Sequence, residues 1–215
     1  MQCVSDLTKL RDCVLGRVRT LRQVINPISF PLTPTDRHAL AFSTIELDNL
    51  VIVALRQYTK SCLLRSRTAA GFRVVSAVKP TTVEEAAAYV FSSLNPAKFK
   101  KMKNPTAISE KDEIVFRDPK RAEKVLMDYS ASNLSNYRLA LSLNAEVFSE
   151  LKICRHFFSH RMRNTFDEVR VLAANLGVFG ISETEQFLLR GRPGTGVRFL
   201  DGWLADVENF FVLAA

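Results

Sequence analysis

The stretch ICRHFFSHRMR, Ile153–Arg163, carries two of the chain's three histidines and three arginines, with no carboxylate among them. At about 100° per residue, with Arg155 set at zero, Ser159, Lys152, Arg163, His156, Ser149 and His160 fall between about 40° and 140°. Val147, Leu151, Cys154, Phe158 and Met162 fall between roughly 260° and 340°. One face is cationic and the other apolar, which predicts an amphipathic helix from Ala145 to about Arg163, packed into a helical bundle through its apolar stripe. His156 and His160, four residues apart, are neighbours on the open face. Arg155 stands at its edge, about 7.5 Å from His160 along the axis.

The flanking sequence reads as helix too. Leu7, Leu10, Val14, Val18, Leu21 and Ile25 recur at threes and fours, one buried stripe of a helix over Leu7 to Ile25. The prolines of NPISFPLTPTD, at 27, 31 and 34, stop it. A broad apolar stripe from Ile45 to Cys62 predicts a second helix over Thr44 to Arg65, suited to the centre of a bundle. GFRVVSAVKP reads as a short strand or an extended connection. TTVEEAAAYVFSSLNP has a threonine cap, glutamates in the first turn and an Asn95–Pro96 stop, a third helix. From Ala97 to Asp118 the chain reads as irregular, with KFKKMK as a solvated basic loop and an extended piece at Ile114 to Phe116. Asp118 and Pro119 then open another helix. Shorter ones follow around Leu134 to Leu143, up to Leu176 before Gly177, and over VRFLDGWLADVENFFVL at the C-terminal end.

Composition limits the function classes. The chain has 215 residues, 47% hydrophobic and 24% charged, enough to bury a core without metal or disulfide support. A formal charge of +8 favours a polyanionic partner, through release of the counterions condensed on phosphates. Cys3, Cys13, Cys62 and Cys154 show no metal-ligand spacing and no disulfide framework, which fits a reducing, cytoplasmic setting. The N-terminal stretch has charges where a signal peptide needs its apolar region, and the apolar runs are interrupted, so neither a secretion signal nor a membrane span is expected. A single domain over 1–215 is the simplest organisation.

An imidazole can accept a proton from a ribose 2′-hydroxyl, and a guanidinium can stabilise charge on a pentacoordinate phosphate. The bare Arg-x4-His spacing is weak, given 19 arginines and 3 histidines in the chain. Helical context, a segregated polar face and the local lack of acids give it weight. RGRPGTGVR lacks the G-x-x-x-x-G-K-[ST] pattern and follows no buried strand, so it reads as a loop and not a nucleotide cradle.

ICRHFFSHR resembles the R-x4-6-H motif of the HEPN superfamily, often found in text of the form vRNxyAHR. Arg155 matches the arginine and His160 the histidine, while Phe157, Phe158 and Arg161 match the surroundings. His156 stands where that family has Asn, Asp or another polar residue. The preceding FRDPKRAEKVLMDYSASNLSNYRLALSLNAEVFSELK is similar to the approach helices, so the resemblance covers about 115–175. It implies an all-α, HEPN-like helical bundle with an irregular insertion between its N-terminal and C-terminal helices. The implied activity is a metal-independent endoribonuclease leaving 2′,3′-cyclic phosphate ends, acting as a toxin or anti-phage defence effector. Arg155 would bind the scissile phosphate, His160 would act as general acid or base, and His156 would orient or assist. Lys152, Ser159, Arg161 and Arg163 would bind RNA. No metal or other cofactor is called for; the implied partners are RNA, a second copy in a homodimer, and an antitoxin or regulatory protein. The alternative is a non-catalytic module of the same fold that binds RNA or docks a protein.

Overall fold

A computed structural model describes residues 6–102, 108, 114 and 117–215. Among these, every regular element is a helix: α1 (Leu7–Ile25), α2 (Pro34–Leu63), α3 (Val83–Leu94), α4 (Pro96–Phe99), α5 (Pro119–Asp128), α6 (Leu134–Leu141), α7 (Val147–His160), α8 (Arg163–Asn175), α9 (Thr184–Leu189) and α10 (Phe199–Ala214). β pairing among the described residues is confined to isolated bridges. The fold is all-α. Cys3, Lys103 and most of the expected extended piece at 114–116 lie outside the described residues.

Caps decide where the helices begin. The expected start of α2 at Thr44 is corrected to Pro34. Pro34 does not break a helix but opens one, because Thr33 and Asp36 form a reciprocal box around it. The Thr33 hydroxyl accepts from the Asp36 N–H at 3.2 Å, and Asp36 Oδ2 accepts from the Thr33 N–H at 2.9 Å. The Thr33 hydroxyl, donating to Oδ2 at 2.7 Å, and then the Thr33 N–H hold the Asp36 carboxyl below its ordinary range. Asp118 caps α5 by accepting from the Lys120 N–H at 2.9 Å, with Pro119 in the first turn as expected. Thr82 accepts from the Glu85 N–H at 3.2 Å to cap α3. GFRVVSAVKP is an extended connection with one bridge at Arg73, and the region after Asn95 begins with the short α4 instead of irregular chain.

The chain divides into two compact units, and α1, α2 and α10 contribute residues to both. The first is drawn from Met1–Val14, Val51–Asn144 and Phe210–Ala215. At its centre Tyr58 and Tyr137 stack with ring centroids 5.3 Å apart, and Phe210 meets Tyr137 edge-on at 5.4 Å. Their hydroxyls are buried, so each needs a partner. Tyr58 donates to the Ala214 carbonyl at 2.6 Å and accepts from Asn133 Nδ2 at 2.6 Å, while Tyr137 donates to the Pro119 carbonyl at 2.9 Å. Burial pushes the neighbouring Cys62 thiol up to about 12, so this cysteine is an inert core residue. Ile108 packs with Ala87, Ala88 and Phe91 of α3.

The second unit is drawn from Leu15–Leu50 and Ala145–Asn209. Trp203, Phe187 and Phe199 form its aromatic centre, with Phe187 and Phe199 centroids 4.4 Å apart and Trp203 at 6.2 Å from Phe187. Each such side chain contributes roughly 1.5–3 kcal/mol by leaving water. Arg198 donates to the carbonyls of Ile25 at 3.4 Å and Ile28 at 3.2 Å, placing a cation at the C-terminal end of α1 where the helix dipole favours one. α2 is long and apolar enough by length and composition to cross a membrane, and 61% of its most apolar window is buried inside the protein, as in the central helix of a bundle.

Substituting Thr33→Ala removes one side of the box that starts α2 and is expected to lower stability by about 1 kcal/mol in a denaturant melt, with Thr33→Ser close to neutral. A Thr33→Ala melt indistinguishable from wild type would show that the box does not set this helix start.

Candidate functional site

α7 is fixed at its start by groups outside itself. No side chain of its own caps it; the Val147 N–H donates instead to Asp206 Oδ2 of α10 at 3.1 Å. One turn on, the Glu150 side chain is buried at 7% exposure, and a lone carboxylate there would be costly. It is matched by two donors: Trp203 Nε1 at 2.8 Å and an Arg192 guanidinium nitrogen at 2.9 Å. Arg192 also pairs with Glu146 and lies over the Phe199 ring, 4.8 Å from its centroid. Val147, Leu151, Cys154 and Phe158 are buried as the wheel predicts. These contacts set the rotation of α7 about its axis, and therefore which side chains face outward.

The outward face carries Lys152, His156, Ser159 and His160, all exposed. The His156 and His160 rings lie with centroids 4.8 Å apart, tilted by 53°. Among the described residues, neither imidazole hydrogen-bonds to a protein group. Arg155 is one-third exposed at the edge of this face, and its Nε lies 3.5 Å from Oδ2 of Asp48, whose side chain is 3% exposed. Asp48 is the site residue that the sequence reading missed. The signal was present: on α2 it falls about 60° from Val51 on the wheel, within the apolar stripe, where a carboxylate is buried only with a partner.

Three expectations are corrected at the far end. α7 stops at His160, because Arg161 adopts the left-handed conformation at φ 50° and its N–H closes on the Phe157 carbonyl at 2.6 Å. The 100° step therefore fails beyond His160. Met162, expected in the buried stripe, is 56% exposed, and the Thr165 hydroxyl bridges its N–H at 3.2 Å and its carbonyl at 2.8 Å to start α8. Arg163 belongs to the first turn of α8 and not to the α7 face. Phe157 and Phe166, with centroids 5.8 Å apart, pack across the turn. Arg161 and Arg163 remain exposed, flanking the helix end on which His160 sits.

The arrangement offers two solvent-facing imidazoles, able to take or give a proton, beside a guanidinium held against a buried carboxylate. Among the described residues no three His, Cys, Asp or Glu side chains gather as metal ligands. The glycines of RGRPGTGVR answer to local geometry: a Cβ on Gly191 would meet the Gly196 carbonyl oxygen at 2.8 Å, and Gly194 and Gly196 take φ of +86° and +69°. The Arg192 N–H is spent on the Val197 carbonyl at 2.8 Å, so the loop is a tight turn that aims Arg192 inward. Comparison of the chain with protein-family models, with curated proteins and with solved structures gives no match.

A double-mutant cycle on Asp48→Asn and Arg155→Gln is expected to return a coupling of about 1 kcal/mol in thermal or denaturant melts, at the upper end of what exposed pairs give. Zero coupling would remove Asp48 as the tether of Arg155. Burial raises the Asp206 carboxyl above its ordinary value of 3.8, against the opposing Val147 N–H and the Arg192 charge. A raised folded value means that the stability linked to Asp206 is full below its ordinary value and is lost as pH rises through the folded one. The stability advantage of wild type over Asp206→Asn should therefore shrink as pH climbs from about 4 toward neutrality. An advantage that grows over that range would reverse this reading of α7's cap.

Proposed function

We propose that the His156–His160 face of α7, with Arg155, is the active centre of a metal-independent endoribonuclease of HEPN-like type. The observation that carries this reading is the pairing of two exposed imidazole rings, 4.8 Å apart, on the same helix as an arginine tethered to a buried carboxylate. A solvated basic face has no need of such a tether. Lysine side chains alone would supply the same field.

In this reading one imidazole, that of His160, takes the proton from a ribose 2′-hydroxyl as its oxygen attacks the adjacent phosphorus. The Arg155 guanidinium meets the charge that builds on the phosphoryl oxygens, and Asp48 holds it at the edge of the face. The bond to the 5′-oxygen of the next nucleotide breaks, that oxygen gains a proton, and a 2′,3′-cyclic phosphate remains. His156 is close enough to orient the substrate or to serve as the proton donor. Lys152 and Ser159 on α7, and Arg161 and Arg163 around its end, would hold the flanking phosphates.

The same reading includes a homodimer in which two such helices face each other, with RNA as substrate and an antitoxin or regulatory protein as a further partner. Two cationic faces repel, so association should strengthen with added salt or bound RNA. Sedimentation at two salt concentrations checks this; a dimer that weakens with salt would place the interface elsewhere.

His160→Ala is expected to lower the RNA cleavage rate by about 10²–10⁴-fold with an unchanged melting temperature, and His156→Ala by a smaller factor. Arg155→Lys should lose most of the activity, because an ammonium does not reproduce the planar fork. Cleavage by His160→Ala at the wild-type rate would overturn the assignment. RNA bound but left whole by wild type would assign the face to a binding module.

A further inference from the structure

The first unit holds a cavity of about 370 Å³ lined by Asp6, Lys9, Leu64, Arg65, Ser66, Arg67 and Arg73. Three arginines and a lysine thus surround one concavity with a single carboxylate among them. That carboxylate is already engaged: Asp6 Oδ1 accepts from the Thr8 N–H at 2.8 Å as the cap of α1. Among the described residues, none of the four cations has a carboxylate within ion-pair distance. Gathering them costs repulsion, and among the described lining residues Asp6 is the one opposite charge.

Backbone contacts hold these residues next to one another, while Lys9, Arg67 and Arg73 keep exposed side chains. α2 ends at Leu63, and Arg65 takes the left-handed conformation at φ 63°. Arg67 bridges to Asp6 on one side and to Arg73 on the other, with the Leu7 N–H on the Arg67 carbonyl at 2.8 Å and the Val74 N–H on the Ser66 carbonyl at 2.8 Å. The cations therefore come from three chain segments pinned to one another, and not from one flexible run. Arg65 Nε is buried and has no hydrogen-bond partner, a donor left unmade where water does not reach it.

We propose that this pocket binds a terminal phosphate group, carried by a 5′-nucleotide or by the 5′ end of a polynucleotide. Its volume stands near the low end of small-molecule pockets, roughly 300–1,000 Å³, room for a phosphate with its sugar but not for a run of strand. Four cations against one carboxylate suit a dianion better than the single charge of a diester. Planar guanidinium forks match two phosphate oxygens at a time. Phosphate binding in this pocket requires neither the α7 histidines nor RNA cleavage.

The test is calorimetry with the full chain, using inorganic phosphate, 5′-AMP, and a short single-stranded DNA made with either a 5′-phosphate or a 5′-hydroxyl. DNA has no 2′-hydroxyl, so failure of the ribonuclease reading would leave this result intact. The phosphorylated strand is expected to bind about tenfold or more tightly than its hydroxyl twin. Arg67→Gln with Arg73→Gln should erase that preference with a melting temperature no lower than that of wild type, since two mutually repelling charges are removed; Arg65→Gln, tested separately, should weaken it. Binding of 5′-AMP and inorganic phosphate as well would assign the pocket to free nucleotides, whereas binding of the phosphorylated strand alone would assign it to strand ends. Equal binding of the two strands with no uptake of 5′-AMP or phosphate, or a preference that survives the double substitution, overturns the proposal.

Discussion

The buried carboxylate of Glu150 is the constraint on which the rest turns. Burial pushes the Glu150 carboxyl above its ordinary range, and a carboxyl at 7% exposure holds its place only where donors meet it, as the Trp203 indole and the Arg192 guanidinium do at 2.8 and 2.9 Å. Those donors come from α10 and from the loop before it. α7 cannot rotate without leaving Glu150 unmatched. Its angular setting is thus fixed by a polar contact as well as by the apolar stripe of Val147, Leu151, Cys154 and Phe158. The histidine face is what remains outside.

The same logic explains the glycine-rich loop. Its close approach of Gly191 to Gly196 shapes a turn that delivers Arg192 to Glu150 and Glu146. A segment that resembles a phosphate loop on composition is, in three dimensions, a device for holding α7. Asp206 adds to this from α10 by capping the first turn of the same helix. Asp48 acts on the other side of α7, through Arg155. Four carboxylates, Glu146, Glu150, Asp206 and Asp48, together with Arg192 and the edge residue Arg155, therefore set the position of that face.

Much of the architecture was legible because helical periodicity survives packing. Leu7 through Ile25 read as one helix with the observed bounds, since its six apolar residues trace a single stripe and its cations fill the other side. Asp118–Pro119 and Thr82 read correctly because their capping chemistry is local. What failed depended on context. Pro34 was read as a breaker, though Thr33 and Asp36 on either side make it the first residue of α2. The end of α7 was set too late because a left-handed arginine, unlike a glycine, leaves no mark in the sequence. Asp48 was overlooked because its partner lies more than a hundred residues away, although a carboxylate inside an apolar stripe is itself a request for one. The similarity to HEPN domains rests on a short motif, and the all-helical architecture agrees with it only at the level of fold class.

The proposed activity is cleavage of RNA through the ribose 2′-oxygen by imidazoles and a guanidinium presented by α7. It is tested most directly by incubating the protein with total RNA in the presence of a chelator and determining the chemistry of the new ends. The expected result is cleavage undiminished by the chelator, with 2′,3′-cyclic phosphate on one side of each cut and 5′-hydroxyl on the other. Intact RNA, cleavage that the chelator abolishes, or 5′-phosphate ends would contradict it.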